Sequence, residues 1–118
     1  LKPKLEYIVV KAHQPENTHS WVAAKGDIVR FERRPTEFIG WLWCTNQNGE
    51  SAWAPESWVA LIEDSCRFER DYNARELTIH PGEIVIGELE ESGWVWIRNS
   101  NEKTGWVPRD CLKNKNIY

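Results

Sequence analysis

The residues of this chain that could do chemistry are few in kind, and they favour binding over catalysis. Cys44, Cys66 and Cys111 are an odd set with no Cys-x-x-Cys pair, and His13, His19 and His80 are scattered. Neither metal-ligand spacing nor a nucleophile with a neighbouring base emerges from them. No Gly-x-Ser-x-Gly and no glycine-rich phosphate loop is present, so no enzyme activity and no cofactor is expected. What stands out is eight Trp in 118 residues. An indole is large, rigid and amphipathic, which makes it an efficient contact group when it faces water. In Trp94-Val95-Trp96-Ile97 and Trp41-Leu42-Trp43-Cys44, strand alternation puts the aliphatic or thiol residues on one face and both Trp on the other. The aliphatic face is expected to be core and the Trp face an exposed contact row. A rival expectation gives Trp43 or Trp96 to a seam between domains.

Bulk properties narrow the partners. The net charge is -3 and the sequence pI about 5.6, the wrong sign for a nucleic-acid surface. No stretch approaches the roughly 20 apolar residues that cross a bilayer, and no charged-then-apolar leader opens the sequence, so no membrane association is expected. Unpaired cysteines fit a reduced, cytoplasmic protein.

The elements that must position the Trp residues come in two copies. Gly40 to Val59 aligns without a gap on Gly93 to Leu112, with Trp41/Trp94, Trp43/Trp96, Trp53/Trp106 and Pro55/Pro108 all at the same offset (94−41 = 53). Upstream, Gly26-Asp27-Ile28-Val29 matches Gly82-Glu83-Ile84-Val85 (82−26 = 56), and Lys11-Ala12-His13 matches Arg70-Asp71-Tyr72 (70−11 = 59). Such length changes belong in loops. Two domains are expected, 1–62 and 66–118, each near the lower size limit for independent folding. The connection around Glu63 to Ser65 is short enough that they should pack against each other. Each copy reads as five short strands with turn punctuation. In copy one these are Leu5 to His13, Ile28 to Glu32, Trp41 to Thr45, Ser51 to Ala54 and Trp58 to Ile62. In copy two they are Cys66 to Tyr72, Ile84 to Leu89, Trp94 to Asn99, Thr104 to Val107 and a brief strand from Cys111. The fold class is therefore all-β, two small five-stranded barrels in tandem.

The order ELTIHPGE, GW, GWVPRDCL in copy two, and AAKGDIV, GWLW, AWAPESWV in copy one, resembles the Src-homology-3 signature, most closely its bacterial variant proteins. The resemblance implies a non-catalytic module whose aromatic groove holds an extended peptide in the polyproline II conformation. Carried over by motif, the groove of copy one would use His13, Trp41, Trp53, Pro55 and Trp58. That of copy two would use Tyr72, Trp94, Trp106 and Pro108. Glu76 matches the family's acidic position beside the first Trp, and with Trp94 it would hold a ligand Arg or Lys. The chain departs from the pattern at Cys111, at Lys11 and Arg70, and at Ser20 (with Glu16 nearby), which stands where copy two has Glu76. The expected partner is a protein or peptide ligand, Pro-containing and basic, with the chain a monomer or weak homo-oligomer. Two other readings stand beside it: a structural or oligomerisation module that buries the Trp faces between barrels, and a domain for cell-wall peptides.

Overall fold

The computed structural model describes residues 5–15, 20–36 and 38–115. The fold is all-β. The described strands are β1 (Leu5–Val9), β2 (Val22–Ala23), β3 (Ile28–Glu32), β4 (Trp41–Thr45), β5 (Ser51–Pro55), β6 (Val59–Ile62), β7 (Ser65–Phe68), β8 (Tyr72–Asn73), β9 (Ile84–Glu91), β10 (Trp94–Arg98), β11 (Thr104–Pro108) and β12 (Leu112–Asn114). They form two five-stranded antiparallel sheets, ordered β5-β4-β3-β7-β6 and β11-β10-β9-β1-β12, plus the short pair β2-β8. Single 3₁₀ turns, Glu56–Trp58 and Arg109–Cys111, follow Pro55 and Pro108. The expected first strands break early, at Val9 and Phe68, and Trp58 lies in the 3₁₀ turn rather than in β6.

The compact units are not the sequence repeats 1–62 and 66–118. One unit is residues 1–18 with 75–118, and the other is 19–74. Each sheet therefore contains the first strand of the other repeat: β1 pairs with β12 and β9, and β7 pairs with β6 and β3. The two exchanges have matching registers. Val9 faces Leu112 and Tyr7 faces Val85; Phe68 faces Val59 and Cys66 faces Val29. The exchange continues past these strands, where His13 bridges Ile79 in one unit and Tyr72 pairs with Ala23 in the other.

Chain connectivity favours this arrangement. Ile62 pairs with Ser65, so only Glu63 and Asp64 lie between β6 and β7, and Glu63 takes the left-handed φ of 57°. A two-residue loop with positive φ is the geometry of a tight hairpin, and closing it costs far less chain entropy than a return across the whole repeat. Once β7 has taken the place beside β6, β1 finds the equivalent place beside β12.

Side-chain size supports the same pairing. Tyr7, 3% exposed, lies over Gly87, and a methyl built on Gly87 would stand 2.5 Å from Tyr7 Cε2. In the other unit the equivalent positions hold Cys66 (66−7 = 59) and Phe31 (87−31 = 56). Large sits over small in one barrel, and the equivalent positions of the other hold a small residue and a large one, the size complement that dense packing favours. Unexchanged strands would put Tyr7 beside Phe31, too much volume, and Cys66 beside Gly87, too little.

The core of the first unit is Tyr7, Val9, Ile79, Val85, Val95, Ile97, Val107, Cys111 and Leu112, with Leu77 packed against it. In the second unit Val29, Leu42, Cys44, Ala54, Val59, Cys66 and Phe68 are all buried. Val95 and Ile97, and Leu42 and Cys44, thus occupy the inner face the alternation assigns them.

Candidate functional site

The exchange regroups the aromatic residues. Tyr72, expected beside Trp94, Trp106 and Pro108, lies instead in unit 19–74 with Trp41, Trp53, Pro55 and Trp58. Its ring stands edge-on to Trp58 at 5.5 Å and stacks on Phe68 at 5.8 Å, and its hydroxyl donates to the Trp53 carbonyl at 2.7 Å. His13, expected with Trp41, lies in the unit of Trp94, Trp106, Pro108 and Glu76. The repeat equivalence of His13 and Tyr72 holds, while the barrel each one serves is exchanged.

The second unit therefore gathers the fuller aromatic set. Trp41 ends one side of the β4-β5 ladder opposite Pro55, and Trp43 pairs across strands with Trp53, their rings edge-on at 5.1 Å. Trp21 lies buried against Phe68 and Tyr72, and its indole N–H donates to the Glu50 carbonyl. Arg70 lies over Trp58, its guanidinium carbon 4.0 Å from the ring centroid. Glu56 in the 3₁₀ turn accepts two 2.9 Å hydrogen bonds from Arg33, which hold its carboxyl below the usual range.

The first unit carries the poorer set. His13 and Cys111 stand where the other barrel has Tyr72 and Trp58. The proposed cation site is filled from within: His13 Nε2 lies 2.8 Å from Glu76 Oε1, and its ring meets Trp94 edge-on at 5.6 Å. The segment around Glu76 runs along edge strand β11, with the Trp106 N–H donating to Arg75 O and the Leu77 N–H to Trp106 O. Gly105 permits that approach, because a methyl there would lie 2.7 Å from Leu77 Cγ and 3.2 Å from Arg75 O. Ala52 occupies the equivalent place in the other unit (105−53 = 52). Arg75 donates to the Thr104 carbonyl and hydroxyl, and Lys11 pairs with Asp110 at 3.8 Å.

The outward Trp row needs correction. Trp41 and Trp58 are 8% exposed and Trp106 3%, while Trp43, Trp53, Trp94 and Trp96 are half-buried. Pro55 and Pro108 are buried. Arg34, Arg70 and Arg75 lie over Trp43, Trp58 and Trp96, and the segment around Glu76 runs along Trp106, so long side chains and draped chain shield these rings. Glu16 lies outside the described residues.

The thiols are buried and form no disulfide, with Cys44 Sγ and Cys66 Sγ 4.0 Å apart in a hydrogen bond. The hydrogen bond between them and burial push the Cys44 thiol far up, and burial also raises Cys111. Among the described residues no group of His, Cys, Asp and Glu is arranged to hold a metal ion. No described helix is long and apolar enough to cross a membrane.

No curated protein and no solved structure matches the chain. A family model matches residues 65–114, a span that follows the second repeat and takes in strands of both compact units. Over those residues the chain is similar to the variant SH3 domain, in keeping with the two small five-stranded barrels described above.

Proposed function

We propose that the chain is a non-catalytic peptide-binding module and that its binding groove lies on the barrel of residues 19–74. One observation carries this: the strand exchange places Tyr72 against Trp58, beside the turn set by Pro55 and in the barrel of Trp41. Rigid aromatic edges separated by a fixed Pro suit an extended ligand with three residues per turn, because little side-chain entropy is lost when they grip it. Of the carried-over residues, Trp41, Trp53, Pro55, Trp58 and Tyr72 form this groove. In the other barrel His13, Glu76, Trp94, Trp106 and Pro108 are tied into their own contacts, which gives that barrel a supporting role.

The burial of Trp41, Trp58 and Trp106 favours a second reading, in which the indoles chiefly stabilise barrels with little core of their own. Titration with extended Pro-containing peptides separates the two, read by intrinsic Trp fluorescence and by amide chemical shifts. The groove reading expects micromolar or weaker affinity, with shifts concentrated in residues 41, 53–58 and 70–72. It expects Trp41→Ala to weaken binding by about 1–3 kcal/mol, as a hot-spot aromatic does. Shifts absent from that region would leave only the structural role.

A further inference from the structure

Among the described residues four arginines lie over aromatic rings, and three of them also have an oxygen partner. Arg34 pairs with Glu32, Arg75 donates to Thr104, and Arg109 pairs with Glu90 and donates to the Leu112 carbonyl. Arg70 is the exception. It lies on Trp58 at 4.0 Å, and among the described residues no oxygen forms an ion pair or hydrogen bond with its guanidinium. The other repeat shows what stands at this place when it is filled. Lys11 is the equivalent cation (70−11 = 59) and its partner is Asp110 in the 3₁₀ turn, but the residue equivalent to Asp110 is Ser57 (110−53 = 57). The acidic position of the groove is vacated as well, with Ser20 where the other repeat has Glu76 (76−20 = 56).

We propose that Arg70, held on Trp58 beside Ser57, is a carboxylate-binding site, so that the groove of residues 19–74 selects extended peptides bearing an Asp or Glu next to Pro. This deepens the groove reading and rests on it, while reversing the charge that the resemblance implies. Stacking on the indole fixes the guanidinium plane, leaves its N–H edge free for a two-pronged hydrogen bond to a carboxylate, and partly desolvates the cation in advance. Neighbouring carboxylates compete little: Glu56 is held by Arg33, and Asp71 accepts the Lys25 backbone N–H. Glu69 is the remaining acid on this turn, and it is exposed.

The test uses the full chain and three ten-residue peptides on one Pro-containing frame, with a central Glu, Gln or Arg, titrated at low and moderate salt. The Glu peptide is expected to bind at least about tenfold more tightly than the Gln peptide, and the Arg peptide more weakly than either. Ser57→Asp, an exposed substitution that supplies internally the carboxylate the other repeat has, is expected to bring the Glu peptide down to the Gln level. Arg70→Gln should do the same, Arg70→Lys should restore part of the preference, and Glu69→Gln should strengthen it. Equal binding of the three peptides, or a preference for Arg unaffected by Ser57→Asp and Arg70→Gln, overturns the charge assignment and leaves the groove standing. No binding of any peptide at millimolar concentration overturns the groove reading and this assignment with it.

Discussion

Replacing Gly87 with Ala tests whether side-chain size holds β1 in its adopted barrel. The new methyl would sit 2.5 Å from Tyr7 Cε2, 3.1 Å from Tyr7 Cδ2 and 3.3 Å from Val95 Cγ1, where ordinary contact begins near 3.4 Å. Gly87 is not among the glycines of positive φ, so the cost is purely one of space. Tyr7 and Val95 are 3% and 1% exposed, which leaves the ring no direction of escape except by parting β1 from β9. Overpacking of this kind costs about 1–3 kcal/mol, and each kcal/mol corresponds to roughly 4–8 °C in the melting temperature of a domain this small. Urea and thermal denaturation followed by circular dichroism would read it. The sharper form is a double-mutant cycle that writes the Cys66/Phe31 combination of one barrel into the other. Tyr7→Cys alone should cost about 3–5 kcal/mol through the cavity it leaves, and Gly87→Phe alone should be worse than Gly87→Ala. Together they should recover about 1–3 kcal/mol relative to the sum. Strict additivity, or a neutral Gly87→Ala, would refute the account of the exchange as a matter of volume.

The buried thiols should resist modification: at pH 8 a thiol reagent should label Cys44, Cys66 and Cys111 slowly in the native protein and fully in denaturant. Prompt native labelling of Cys44, whose pKa is raised, would contradict its burial. The Glu56–Arg33 pair gives a modest acid dependence with a fixed sign. The folded pKa of Glu56 is depressed, so its contribution is present above the unfolded carboxylate pKa and is lost as pH falls through the lower folded value. Arg33→Ala should flatten that acid limb by slightly lowering stability at neutral pH while leaving it unchanged at strongly acid pH, and the effect should be small because the pair is solvent-screened.

Much of the fold can be read from the residues. The repeated Gly-Trp-x-Trp and Trp-x-Pro spacings locate β4, β5, β10 and β11, and alternation picks Leu42, Cys44, Val95 and Ile97 as core. The exchange is less legible, because β1 and β7 carry nearly interchangeable patterns and either could occupy either barrel by polarity alone. Two signals do discriminate. Glu63-Asp64 is all that separates two strand-like runs, which is hairpin spacing, and Tyr7/Gly87 against Cys66/Phe31 is a size complement that appears once the register is known. For the same reason sequence neighbourhood groups His13 with Trp41 and Tyr72 with Trp94, whereas the compact units group His13 with Trp94 and Tyr72 with Trp41. The burial of Trp58 under Arg70, and of Trp106 beneath the Arg75–Leu77 segment, depends on chain draped over the sheet. Alternation along a strand carries no information about what lies on top of it.

The hairpin at Glu63 also governs how the molecule can be taken apart. A nick there yields fragments 1–63 and 64–118, and each barrel draws strands from both, so the cut halves should stay together as a noncovalent pair until they are denatured. Either half expressed alone would have to take back its own first strand, with Tyr7 crowding Phe31 or Cys66 leaving a hole over Gly87. Each repeat thus completes the barrel of the other, and deleting either one is expected to leave its twin short of a strand.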